Sequence, residues 1–323
     1  MHFAIFAAFF AISRTPVGMC AAAAALFLIG AWAAKKDIVE ARGLDKIVAL
    51  SNLCVAIPLA VFGAEHLFEP QALLPMVPPY MPWRMFWVYF VGYALIAAAL
   101  SIATKVGVQW SGLLFGIMMF SFVAMIHFPG ALRQPHNRII WTIVFRETSF
   151  GGAGWLLAGT AMEAGRGQGK RVLINVGRVA VTMALIVFGV QHFLHPMGLP
   201  GVPLEKQMPA WVPARMLIDY VTGAALLVAA GSVLLRRKVR TTITCVGGWI
   251  LLTIVSIYVP VMILALLVPN TGVKVEGINY FADTLLFAGA ILALAGASPR
   301  TDAGGSASVS RSLGETLSTT QRS

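Results

Sequence analysis

The chain has 323 residues, of which 58% are apolar and only 11% charged, with a mean hydropathy of +0.81. Soluble domains carry about 25% charged residues, so composition excludes an ordinary soluble fold and any large extramembrane catalytic domain. The net charge of +11, from 24 Lys+Arg against 13 Asp+Glu, would elsewhere suggest nucleic acid, but the cations sit in short loops between apolar runs, where they act as topological signals. Cys20, Cys54 and Cys245 fall inside apolar runs with no Cys-x-x-Cys, which argues against a disulfide framework or a metal site.

A bilayer-crossing helix needs about 20 mostly apolar residues. Taken in chain order, His2–Ile12 is too short to cross and reads as an interfacial segment or as the product of a misassigned start. Nine candidate spans follow: Val17–Ala34, Lys46–Phe68, Pro82–Thr104, Gln109–Phe128, Trp141–Ala161, Val172–Leu194, Pro213–Leu235, Thr241–Leu267 and Gly277–Ala297. The Ser-, Thr- and Gly-rich tail from Ser298 cannot bury enough apolar area to fold and is expected to be disordered. Lys35, Lys36, Arg42, Lys46, Lys105, Arg166, Lys170, Arg171, Arg236, Arg237, Lys238 and Arg240 fall on one side if each span crosses once. The positive-inside rule makes that side cytoplasmic, with the amino terminus outside and the tail inside.

Self-comparison finds an internal repeat. Phe62–Pro70 aligns with Phe188–Pro196, and Pro78–Gly92 with Pro209–Gly223 after a five-residue difference in loop length. Ten of these 24 positions are identical, where roughly two or three would be expected by chance. Glu147-Thr148 lines up with Asp283-Thr284. The expected architecture is all-α: a membrane protein of two tandem, parallel four-helix bundles plus one N-terminal transmembrane helix. The boundaries are 1–45 for the N-terminal segment, span and loop, 46–165 and 166–297 for the two units, and 298–323 for the tail.

The pattern Phe62-Gly63-x-x-His66…Pro70, then a Pro-rich loop ending in Pro82-x-Arg84-Met85 and a span with Tyr89 and Gly92, repeated from Phe188, resembles the DoxX/DoxD superfamily. The resemblance covers most of Lys46–Ala297. It implies four-helix units in the bacterial inner membrane. Some relatives are the hydrophobic subunits of quinone-linked oxidoreductases such as thiosulfate:quinone oxidoreductase, others belong to methylamine-utilisation machinery, and others have no assigned activity.

The residues that could carry chemistry cluster at the outer ends of the spans. His66 and His192 follow Gly63 and Gly189 by one turn, so each glycine either leaves room for a planar group or marks a close helix contact. Arg84 and Arg215 begin the second helix of each unit, while Glu147 and Asp283 lie six residues into the fourth, about 9 Å below its end. An Arg–carboxylate bridge in each unit is expected, because any of these groups alone would be costly to desolvate. Arg146, adjacent to Glu147, is expected to point to a different face and snorkel outward. A quinol must lose two protons as its electrons leave, and a histidine and a carboxylate within reach could accept them. On this reading His66 and Glu147 are the catalytic candidates, and Glu65, Arg84, His127, His192, Arg215 and Asp283 bind the head group.

Quinone is the one cofactor suggested, since no haem, metal or nucleotide motif is present; a bis-histidine haem through His66, His127 or His192 finds no matched partner at equal depth. The partners expected are membrane lipid and a redox subunit that handles the electrons, not nucleic acid. The alternative from another class is a non-enzymatic scaffold, assembly factor or small-molecule carrier.

Overall fold

The computed structural model describes residues 13–163 and 167–299, so the interfacial reading of His2–Ile12, the linker cation Arg166 and the tail beyond Pro299 lie outside the described residues. Within them the chain is all-helical. Nine long helices follow in order: α1 (Arg14–Glu40), α2 (Ser51–Phe68, preceded by the turn Asp45–Val48), α3 (Arg84–Thr104), α4 (Val108–Phe122), α5 (Arg138–Ala161), α6 (Gly167–Leu194), α7 (Arg215–Leu234), α8 (Val239–Thr253) and α9 (Thr271–Gly296).

Among the described residues eight helices are long and apolar enough to cross a bilayer, one fewer than the sequence suggested. The remaining one, α5, is long enough at 24 residues but carries Arg138, Arg146 and Glu147. It is nevertheless packed between the apolar α4 and α6, so it belongs to the same helical layer. Multiple apolar helices of this length fit a multi-pass membrane protein.

Each helix from α2 to α9 packs on its neighbours in the chain, and α9 returns to α2, closing a ring; α5 and α9 also touch across the middle. α1 lies outside the ring against α2 and α3. Because lipid is as apolar as leucine, such helices are held by close packing at small residues more than by hydrophobic burial. The glycines mark these crossings. A Cβ on Gly112 would lie 2.5 Å from the Gly154 carbonyl, and one on Gly152 3.0 Å from the Gly177 carbonyl, so α4, α5 and α6 approach backbone to backbone. Gly63 and Gly189 serve as packing positions: their Cβ atoms would meet the carbonyls of Gly92 and Gly223 at 3.0 and 3.1 Å. Neither leaves room for a planar group. In turn a Cβ on Gly92 or on Gly223 would lie 2.9 Å from the Cβ of His66 or His192, so these two crossings fix both histidine backbones.

Local features recur in matching places. α3 and α7 each start after a non-glycine residue in the left-handed region, Trp83 (φ 51°) and Ala214 (φ 50°). α5 and α9 are capped by the side chains of Asn137 and Asn270, which accept from Ile139 N and Val273 N at 3.1 and 3.2 Å. α4 and α8 each continue through one π-helical turn, Val123–His127 and Ile254–Tyr258, into a short helix with proline at its second position. Pro129 and Pro260 lack the N–H that would bond back one turn, and their rings crowd the carbonyl there, which displaces the ladder into the wider turn. At the basic end Lys105 pairs with Asp37, and Arg240 holds Asp45 at 2.8 Å, tying α3 to α1 and α8 to the turn before α2.

Candidate functional site

The most conspicuous polar group lies where α5 meets α9. Arg146 spans the seam: Nε and Nη2 donate to Glu147 Oε1 at 3.2 and 2.7 Å, and Nη1 donates to Asp283 Oδ2 at 2.7 Å. All three side chains are at most 17% exposed. Two sequence expectations are corrected here. Arg146 does not snorkel outward: although its Cβ and that of Glu147 diverge, the long guanidinium stem folds back along α5 and reaches across to α9. Arg84 and Arg215 do not bridge to these carboxylates. Arg84 instead donates to the carbonyls of Val77 and Leu74 at 3.0 and 2.7 Å, and Arg215 to that of Met208 at 3.3 Å, so both pin the Pro-rich loops before their helices. Asp283 is also deeper than expected, because α9 starts at Thr271; twelve residues in, it lies about 18 Å along the helix.

Glu65 faces the same seam from α2 and accepts a hydrogen bond from Asn279 Nδ2 of α9 at 3.0 Å. Its counterpart Gln191 on α6 instead accepts from Thr142 Oγ1 of α5 at 2.8 Å. Between α5 and α9 a cavity of about 440 Å³ opens, with Arg146 and Asp283 among its lining, Asn279 and Tyr280 on one wall and Ile139 and Ile143 on the other. Leu204 and Glu205 of the 195–214 loop close one side, and Lys206 Nζ pairs with Glu276 Oε2 there at 3.2 Å. Two carboxylates, Glu147 and Asp283, thus share one arginine, and a third, Glu65, lies on the same seam.

The two histidines differ. His192 is 1% exposed, and its Nδ1 lies 2.5 Å from Oδ1 of Asp219, which is fully buried. A carboxylate oxygen can only accept, so Nδ1 is the donor to Asp219, while Nε2 lies 3.2 Å from the Gly201 N–H and 3.3 Å from the Gly201 carbonyl. Asp219 Oδ2 has no partner. His66 is half-buried and donates from Nδ1 to the Phe62 carbonyl one turn back, at 2.8 Å; the residue aligned with Asp219 is Val88. His127, at the end of the first π turn, is half-buried near Glu147 and Arg146. Neither His66 Nε2 nor either nitrogen of His127 has a hydrogen-bond partner among the described residues.

Sequence reasoning therefore selected Glu147 and Asp283, which the fold does bring together, but missed the cation between them and missed Asp219. A lone acid one turn into the apolar run Met216–Leu235 was the available signal for Asp219, since such a group demands a partner. Comparison with family models, curated proteins and solved structures finds no match to this chain.

Proposed function

We propose that the chain is a DoxX-like membrane module, made by tandem duplication of a four-helix unit, that binds a quinol head group in its first unit and accepts the protons released on oxidation. Electrons leave to a redox centre in a partner subunit, so the balance is one quinol converted to quinone, two protons and two electrons. The basic loops are cytoplasmic, the histidine-bearing end faces outward, and the membrane is the bacterial inner membrane.

The duplication is supported by the paired left-handed residues at 83 and 214, the arginine-to-loop bonds, the asparagine caps and the two π turns followed by proline. The observation that carries the functional reading is the two half-buried histidines, His66 and His127, each at the loop end of its helix with a free ring nitrogen, and Glu147 near His127. A quinol hydroxyl donating to an imidazole gives up its proton there. Glu147 shares Arg146 with Asp283, and the cavity on the Asp283 side offers the proton a way out.

The test is quinol-dependent reduction in native membranes containing the partner. His66→Ala and Glu147→Gln lower turnover a hundredfold or more at normal protein level, the range general-base loss produces. Purified wild-type protein retains extractable quinone at near one per chain. Unchanged turnover in both variants, with a quinone-free preparation, rejects the reading in favour of a non-enzymatic carrier or scaffold.

A further inference from the structure

The two halves differ most in the loop between their first and second helices. In the second half, residues 195–214 fold back into the mouth of the helices. Leu199 N donates to Lys206 O and Met208 N to Met197 O, at 3.1 and 2.9 Å, and Leu199 and Val202 are buried. Gly201 adopts φ +108°, a conformation that needs glycine. At the tip a single peptide group is consumed by two helices: its N–H, from Gly201, donates to His192 Nε2 of α6 at 3.2 Å, and its C=O, from Pro200, accepts from the Tyr258 hydroxyl at the end of the second π turn at 2.8 Å. This is how an amide ligand would be held.

The matching positions in the first half are His66, through the repeated Phe-Gly-x-x-His motif, and His127, because Val123–Pro129 stands in the place of Ile254–Pro260. There the loop is five residues shorter and stays outside, with Met76, Tyr80 and Trp83 exposed. His192 and Tyr258 are each 1% exposed, whereas His66 and His127 are partly exposed and keep free ring nitrogens.

We infer that the Pro200–Gly201 peptide is a built-in ligand of the second unit, and that the first unit takes at His66 and His127 an external planar group carrying a hydrogen-bond donor beside an acceptor. Combined with the quinol reading, on which this part rests, that group is a quinol hydroxyl flanked by an ortho alkoxy oxygen. The hydroxyl donates to His66 Nε2 and the alkoxy oxygen accepts from a His127 N–H. A quinol with alkyl groups at every ring position lacks this adjacent alkoxy acceptor and offers His127 only the lone pairs of the hydroxyl already engaged with His66, a loss of about tenfold in affinity.

The full chain in lipid nanodiscs is tested by equilibrium dialysis, with empty discs subtracted, against three probes: decanamide, a short-chain dimethoxybenzoquinol and tetramethylbenzoquinol. The expected result is one site per chain for decanamide and the dimethoxy quinol, weakened tenfold or more by His66→Ala and by His127→Phe and unchanged by Tyr258→Phe, with the tetramethyl quinol about tenfold weaker on wild type. If decanamide binds through His66 while neither quinol binds, the built-in-ligand inference stands and the quinone reading falls. If both quinols bind equally and His127→Phe changes nothing, the inference falls and the quinone reading survives. Binding of none of the probes overturns both. Should His66→Ala fail to fold, His127→Phe and the comparison of the two quinols on wild type still decide.

Discussion

Replacing Arg146 with methionine removes the one cation shared by Glu147 and Asp283 while keeping most of the stem's volume. Two unit charges 4 Å apart at an effective dielectric near 20 attract by about 4 kcal/mol, and much of that gain is offset by desolvation. Loss of one member is worse than loss of all, because the survivors stay in the seam without a counter-charge; the usual cost is about 3–5 kcal/mol. Protonation of the orphaned carboxylates limits the loss to the lower part of that range. For a chain of this size it lowers Tm by on the order of 10 °C. Arg146→Met/Glu147→Gln/Asp283→Asn, which removes every charge of the trio, recovers more than half of that difference.

The measurement is thermal unfolding in detergent, with single and double variants at 146 and 283 arranged as a cycle. A coupling energy of roughly 2 kcal/mol or more is expected between the two positions. Single variants that melt within 2 °C of wild type, or a coupling near zero, would refute the view that this trio holds α5 to α9.

Three further outcomes follow from the packing and the loops. Gly112→Ala drives a methyl to 2.5 Å from the Gly154 carbonyl and costs about 1–3 kcal/mol, whereas Gly231→Ala in the same assay meets open space and gains up to about 1 kcal/mol from helix propensity. His192→Ala leaves Asp219 buried with neither oxygen bonded and lowers Tm more than Asp219→Val, because after the latter His192 can turn Nδ1 to the Phe188 carbonyl as His66 does with Phe62. The gap should be about 2 kcal/mol in matched melts. Ala214→Gly relieves the left-handed residue before α7 (φ 50°) and raises Tm by a few degrees, reflecting about 1 kcal/mol.

The spans were legible because a bilayer imposes a length and a composition that no other environment does. The proposed repeat is traced through residues that fix backbone or loops, such as Gly63 and Gly189, Pro82 and Pro213, or Arg84 and Arg215. What escaped depended on which helices touch across the ring. Arg146 and Asp283 are 137 residues apart in sequence, and nothing local says that α5 and α9 meet. The nine-span count depended on treating α5 as apolar, and it is the charges of this seam that set it apart from the other eight. The π turns were equally hidden, since a proline in an apolar run reads as a kink and the widened turn is one of several ways to relieve it.

The fate of two aligned histidines follows from five residues of loop. A longer loop brings a peptide group down to His192, and the ring's other nitrogen then faces position 219, where an aspartate completes the set at the cost of burying a carboxylate. Position 88, aligned with 219, is valine, and His66 spends only Nδ1 on its own helix. A unit whose histidine merely stabilised the bundle would gain from satisfying both nitrogens, and the second unit demonstrates that the same framework can do so. His66 and His127 stay half-buried with free ring nitrogens, which is what the proposed exchangeable ligand would use.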